Sequence, residues 1–229
     1  MSAFVDPQTS PVDEIVAQLT EAVHEHRVPP GTKLREDEIG EIFGVSRTLV
    51  RQALRTMAHS GLVSIEKNRG AFVAEPTIKE AREVFEARAL LEPQTARAAA
   101  ERATPRDIAE LERHIDAEHA ALEGDEAGLA LKLSGEFHCT IARIADQKTI
   151  EGFLRQLVSR SSLVIALYWR RRNALCESNA HHALVEALRD GDGDSAEELM
   201  KGHLVDLLSQ LDLRDRTQKP TSLRDALSK

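Results

Sequence analysis

The chain has 229 residues, with 30 Lys and Arg against 38 Asp and Glu, a net charge of −8, 30% charged residues and 3% aromatics. That length can bury two modest cores, and a composition rich in Ala, Leu, Arg and Glu favours helices. The acidity excludes a protein that coats nucleic acid over its whole surface, and two cysteines, Cys139 and Cys176, without CxxC spacing exclude a disulfide framework.

Residues 1–10 read as a flexible polar tail without the apolar core of a signal peptide. No run of about 18 apolar residues exists to cross a bilayer, so no membrane partner and a cytoplasmic location are expected. Pro11 to Arg27 predicts a helix with Ile15, Val16, Leu19, Ala22 and Val23 as its stripe, and Pro29-Pro30-Gly31 turns the chain. Glu36 to Phe43 predicts a short second helix, and Gly44 a tight turn. Ser46 stands at the N-cap of a third helix, where its hydroxyl is expected to accept an orphan backbone N–H. In that helix Val50, Ala53, Leu54 and Met57 form an apolar stripe. Arg47, Arg51 and Arg55, four apart, share another face with Gln52 beside them. Two helices joined by a glycine turn, the second with arginines outward, suggest a DNA-reading helix-turn-helix. The same arginines would also suit a solvated face of an ordinary surface helix.

The period then changes. Leu62 to Glu66 and Ala71 to Ala74 predict strands, and Lys67-Asn68-Arg69-Gly70 the turn between them. A hairpin with Lys67 and Arg69 at its tip, directly after a helix-turn-helix, is a wing. Residues 47–70 hold Arg47, Arg51, Arg55, Lys67 and Arg69 against Glu66 alone, so basic charge is concentrated on one part of an acidic molecule.

Beyond the linker Glu75-Pro76-Thr77 everything reads helical. Helices are predicted over Thr77–Ala103, bent at Pro93; from the N-cap Thr104-Pro105 to Glu123; over Glu126–Ala145; over Lys148–Arg171; over Glu177–Arg189; and, after the break Gly191-Asp192-Gly193-Asp194, over Ser195–Leu211. In the fourth of these, Ile150, Phe153, Leu154, Leu157, Val164, Ile165 and Tyr168 form the expected buried side. The fold class is therefore mainly α: a winged helix-turn-helix with a small β-hairpin wing over 11–75, then an antiparallel all-helical bundle over 76–213, with a polar tail at 214–229. A bundle attached to a DNA-reading head suggests a sensor domain.

Pro29-Pro30-Gly31-Thr32-Lys33-Leu34, Glu38 to Val45, Ser46-Arg47-Thr48, Val50-Arg51, Ala53-Leu54 and Gly61-Leu62-Val63 resemble the N-terminal domain of GntR-family bacterial transcription regulators. Glu86-Ala87-Arg88 with Leu91-Glu92, Phe137-His138, His181 ahead of Glu186-Ala187-Leu188, and His203-Leu204 resemble the all-helical ligand-sensing FCD domain of the FadR subfamily. The resemblance spans roughly residues 11–212. It implies a homodimeric regulator, a repressor, that binds a palindromic DNA operator, recognition helix in the major groove and wing tip in the minor groove. Arg47 and Arg51 match base- and phosphate-contacting arginines, Ser46 and Thr48 phosphate-contacting hydroxyls, and Gly70 the wing-tip glycine. Asp37 stands where some members carry a DNA-contacting arginine; a carboxylate there repels phosphate, and Arg35 offers a nearby charge instead.

His138, His181 and His203 sit on three different predicted helices, each among apolar neighbours at helical spacing. Each could be a satisfied core histidine; three converging in one bundle also suit a divalent metal. By resemblance they match the three histidine ligands of metal-binding FCD domains, but Ser134 replaces the aspartate ligand one turn before His138. If a metal is bound there, the nitrogen ligand set points to Zn²⁺ as the cofactor, or to another divalent transition metal. The resemblance also implies a small organic acid as effector. Arg88, mid-helix in an apolar stretch, suits a carboxylate through its planar fork, or an internal ion pair with Glu92 at i+4; Arg143 is a second effector-binding candidate. Tyr168 and Trp169 are expected to pack in the core or a dimer interface. An effector would bias the arrangement of the paired bundles, transmitted through the linker. Two other functions fit parts of the chain: a metal-dependent hydrolase using the three histidines, which lacks an HExxH pattern, and an adaptor using the wing for protein contact.

Overall fold

The computed structural model describes residues 10–169 and 178–214. Most of the expected N-terminal tail, the end of the fourth bundle helix at Arg170-Arg171, Cys176, Glu177 and nearly all of the polar C-terminal tail lie outside the described residues.

The first domain is a winged helix. α1 (Pro11–His24) is capped by the Ser10 hydroxyl, which accepts from the Asp13 amide at 3.2 Å. It is followed by β1 (Lys33–Leu34), α2 (Glu36–Phe43), α3 (Arg47–His59), β2 (Val63–Glu66) and β3 (Gly70–Val73). Gly44 closes α2 in the left-handed conformation at φ 63°, so the turn into α3 is tight without strain. The strands form one antiparallel sheet in the order β1-β3-β2. Lys33 faces Phe72 across one edge, and Ser64 faces it across the other. The α3 stripe Val50, Ala53, Leu54 and Met57 packs on Ile15 and Val23 of α1 and on Val63 and Val73 of the wing.

The second domain comprises α4 (Ile78–Ala100), α5 (Pro105–Glu123), α6 (Ala127–Ile144), α7 (Lys148–Tyr168), α8 (Ser178–Arg189) and α9 (Gly193–Ser209). Reciprocal capping boxes, Thr77 with Glu80 and Thr104 with Asp107, set the starts of α4 and α5. The bundle core gathers Leu111, Ile115, Phe137, Ile141, Leu184, Met200 and Leu204. α4 runs through Pro93 as one helix.

Several sequence expectations need correction. β1 had no strand signal: two residues cannot display a period. α1 stops at His24, short of Arg27, because His26 takes a left-handed backbone at φ 56°. The Ser46 hydroxyl makes no capping bond although its backbone sits at the N-cap. Phe153 is 57% exposed, and Ile150 and Leu157 are only half-buried, so the inward stripe of α7 is narrower than expected. α9 begins at Gly193 because the Asp192 carboxylate accepts from the Ser195 amide at 3.0 Å, which turns part of the expected break into a helix start. Tyr168 and Trp169 are half-buried against Ala81, Phe85 and Leu211.

The two domains are docked. Leu163 of α7 is fully buried in the winged-helix core. At the end of α1, His24 Nε2 lies 2.8 Å from Ser159 Oγ, and His26 Nε2 lies 3.1 Å from the Ser162 carbonyl oxygen. Lys132 of α6 donates to Glu21 at 2.5 Å and Glu25 at 3.1 Å. A Cβ on Gly128 would sit 1.9 Å from the Glu25 carbonyl oxygen, so only glycine permits this approach. Gly128→Ala is therefore expected to push α1 off α6 and to destabilise the protein by about 1–3 kcal/mol. Chemical denaturation together with limited proteolysis between the domains measures this.

The seam is also acid-sensitive. Burial above all, and then the positive charge of His26 and Lys132, lowers His24 from 6.5 to about 4. Between those values the unfolded chain binds a proton that the docked state refuses. Stability is therefore unaffected above pH 6.5 and falls as the pH drops toward 4. The midpoint of urea unfolding is expected to fall less between pH 7 and pH 5 in His24→Gln than in the parent.

Candidate functional site

On the DNA-reading side, Ser46, Arg47, Thr48, Arg51 and Gln52 are all exposed along the start of α3. Arg51 is oriented from below. Its Nε donates to both carboxylate oxygens of Glu36, at 2.9 and 2.8 Å. These bonds use Nε, which leaves the two Nη groups as the outer fork, the end that matches guanine O6 and N7. Glu36 carried no signal in the sequence because its partner is fifteen residues away. Arg35 and Asp37 lie 3.6 Å apart on the surface. The backbone amides of Asp37 and Glu38, and then Arg35, hold the Asp37 carboxyl below its usual range, so a negative charge does stand where some relatives carry an arginine.

At the wing tip Asn68 and Gly70 have φ of 63° and 101°, the left-handed conformations expected of this turn. Lys67 is exposed. Arg69 pairs with Glu66, and its guanidinium lies 5.3 Å from the centre of the Phe72 ring. Lys33 approaches the same ring at 5.7 Å. β1 thus adds to the wing a cation that the sequence reading missed.

Inside the bundle, His138 (α6), His181 (α8) and His203 (α9) converge as expected, each 4% exposed or less. One ring nitrogen from each lies within 4.8 Å of the others, and His138 Nε2 and His203 Nε2 are 3.2 Å apart. Each of two rings leans on a buried acid. His138 Nδ1 is 2.6 Å from Glu92 Oε2, and His181 Nδ1 is 3.1 Å from Glu118 Oε2. An acid at Nδ1 holds the proton there and turns the basic Nε2 away from it, the arrangement by which carboxylates orient metal-binding imidazoles. Burial chiefly lowers the pKa of His138, so it is a neutral imidazole at pH 7. Burial would raise the Glu92 carboxyl, but Arg88 and His138 outweigh it and hold Glu92 ionised. Three converging imidazole nitrogens, two of the rings backed by acids, fit a divalent transition-metal ion. Ser134, one turn before His138, lines the adjoining cavity and offers only a hydroxyl. Glu118 was legible in principle: with Ile108, Leu111, Ile115 and Ala121 it occupies the buried stripe of α5, where an acid needs a partner.

A cavity of about 620 Å³ opens beside the histidines. Both candidate arginines reach it. Arg88 is 2% exposed and spends its fork internally: Nε donates to Glu92 at 2.5 Å and Nη1 to Ser161 at 3.0 Å. The ion-pair alternative for Arg88 is therefore what the structure contains. Arg143 is half-buried and pairs with Glu110 at 2.8 Å.

Comparison with known proteins agrees with both halves. Residues 11–73 match the family described as bacterial regulatory proteins, gntR family, and residues 83–206 match the FCD domain. The chain is 29% identical over 204 residues to the HTH-type transcriptional repressor RspR of Escherichia coli K12, covering 87% of this chain and 88% of that one. It is 28% identical over 210 residues to the galactonate operon transcriptional repressor of the same organism, covering 81% and 90%. A putative transcriptional regulator GntR from Rhodococcus sp. RHA1 shares the fold with a TM-score of 0.77 at 24% identity, over 88% of this chain and 97% of that one. These relatives are regulators rather than enzymes, and nothing supports the hydrolase alternative. No helix among the described residues is long and apolar enough to cross a membrane. A winged reading head docked on a helical sensor bundle, matched along nearly its whole length, makes this chain a member of the GntR family of bacterial transcription regulators, with an FCD domain.

Proposed function

We propose that the protein is an effector-responsive repressor that binds a palindromic operator as a homodimer, and that a small organic acid modulates it from the bundle. The observation that carries this reading is the outward fork of Arg51, set by Glu36 on an exposed α3 face beside Arg47, Ser46, Thr48 and Gln52. Arg47 and Arg51 read bases or phosphate, while Ser46 and Thr48 set register on phosphate. Lys67, Arg69 and Gly70 present the wing tip, and Arg35 adds charge near the start of α2. A second copy is favoured by exposed Leu90 and Phe153 on α4 and α7, helices that pack on each other and leave apolar side chains facing outward. One relative, the galactonate operon transcriptional repressor, governs an operon named for a sugar acid, which supports an acid as effector class.

We also propose that His138, His181 and His203 hold a divalent ion, Zn²⁺ by the nitrogen donors, with Glu92 and Glu118 orienting two of the rings. Such an ion would supply an electrophilic anchor for an acid's oxygens, with Arg143 at the cavity wall and Arg88 holding Glu92 in place.

DNA recovered from a random pool by the full chain supplies the operator for the first test. Arg51→Ala is expected to weaken binding to it by at least tenfold, following about 1–3 kcal/mol per bidentate contact. Glu36→Gln, which frees the fork and removes a negative charge, is expected to keep low-salt affinity but to lose several-fold discrimination against a single mismatch. Unchanged discrimination in both variants overturns the assigned reading of α3.

For the metal, protein purified without a polyhistidine tag is expected to take up about one Zn²⁺ per chain, and His203→Ala to take up none. Glu118→Gln should weaken Zn²⁺ affinity on the order of tenfold, and Ser134→Asp should strengthen it. Competition with a chromogenic chelator measures all four.

A further inference from the structure

The cavity beside the histidines does not end within the bundle. Its wall is completed by the reading head: Val16, Thr20 and His24 of α1, Thr56 of α3, and Ser60 and Leu62 just beyond α3. The two ends differ in chemistry. The bundle end carries the three histidines with Arg88, Arg143 and Glu118. The reading-head end offers the carbon of Val16 and Leu62 and the uncharged hydroxyl side chains of Thr20, Thr56 and Ser60, and its one titratable group, His24, is committed to Ser159 across the seam.

We infer that this is a single interdomain site for an amphipathic carboxylic acid, its head at the histidine end and its uncharged body against Val16, Thr20 and Leu62. The inference rests on the acid-effector reading above and adds to it where the ligand's body lies. A ligand seated this way touches the DNA-reading domain itself. Its far wall exists only while α1 is docked on α6 and α7 through His24, His26 and Lys132. Binding therefore favours the docked arrangement over any other, with no need for a relay through the Glu75-Pro76-Thr77 linker. By linkage, the factor by which the ligand changes operator affinity is the factor by which operator DNA changes ligand affinity.

The size of the cavity is that of a site for a small organic molecule rather than for an ion alone. Thr20 and Ser134 both line it, and among the described residues neither hydroxyl has a hydrogen-bond partner, so it can also accept one or two hydroxyls on the ligand.

The test uses the full-length, Zn²⁺-loaded chain with acetate, butanoate, hexanoate and octanoate as probes, and gluconate as a polar acid of hexanoate's length. Affinity is expected to rise about fourfold per methylene until the body meets the reading-head wall, the factor that corresponds to burying one CH₂. Bound hexanoate should give nuclear Overhauser contacts from its terminal methyl to Val16, Thr20 or Leu62. Thr20→Trp, which fills the far end, should weaken hexanoate at least tenfold while leaving acetate unchanged. The methyl contacts are read on the parent protein and decide the matter even if that variant does not fold. Hexanoate that binds with contacts confined to the bundle overturns the interdomain site but leaves an acid effector standing. Gluconate that binds better than hexanoate overturns the apolar-body assignment. Failure of every acid to bind overturns both this inference and the acid-effector reading.

Discussion

The arrangement depends on one close approach, the carbonyl of Glu25 resting against the bare α-carbon of Gly128. A methyl group there would keep the end of α1 away from α6. With it gone, Leu163 of α7 could not sit in the winged-helix core beside Leu54 and Met57. Fully burying one leucine is worth about 1.5–3 kcal/mol, comparable to the hydrogen bonds and ion pairs around it. The rest of the seam is polar: the Lys132 side chain, 18% exposed, bridges Glu21 at 48% and Glu25 at 17%, and such partly solvated pairs contribute modestly to stability but set geometry. Apolar insertion holds the domains together, and polar contacts decide how they register.

Deeper in the bundle the logic reverses. Arg88, Glu92 and His138 are all nearly excluded from water and form a continuous chain from Ser161 to the histidine cluster. Taking these charges out of water costs several kcal/mol each, and their mutual attraction offsets the cost only because each donor has an acceptor. Well-packed apolar side chains of similar volume are often as stabilising as a buried ion pair. Retention of the trio in a core otherwise built from Leu, Ile, Ala and Phe belongs to what the histidines do. The Arg88 guanidinium keeps Glu92 ionised, and Glu92 in turn sets the His138 tautomer.

The sequence made the elements legible where periodicity is long. Every helix of eight or more residues could be placed from its apolar stripe or caps, and the wing from the change of period at Leu62 together with Asn68 and Gly70. It was silent where the signal is shorter than a period, as at β1, or where a partner lies far along the chain. Glu36 for Arg51, Glu118 for His181 and Ser159 for His24 are pairings of that kind. Phe153 misled for a different reason: an apolar residue at a stripe position faces inward only if another element covers that side, and no element among the described residues does. The histidines were legible from residue type, helical spacing and the resemblance to FCD domains together. That the cavity beside them is shared with the reading head could not be read from any one segment, because its two walls lie about a hundred residues apart in the chain.

The hold of Glu36 on Arg51 carries a consequence for the speed and fidelity of the search along a genome. A loose arginine on a surface helix samples many rotamers and must surrender them on landing, about 0.5–1.5 kcal/mol of ordering for a side chain of this kind. Here much of that freedom is already gone before the duplex arrives. The carboxylate behind the guanidinium also tempers its pull on any passing backbone phosphate. On the proposed reading of α3, such a side chain would linger less on random sequence and respond sharply when the matching base edge comes within reach.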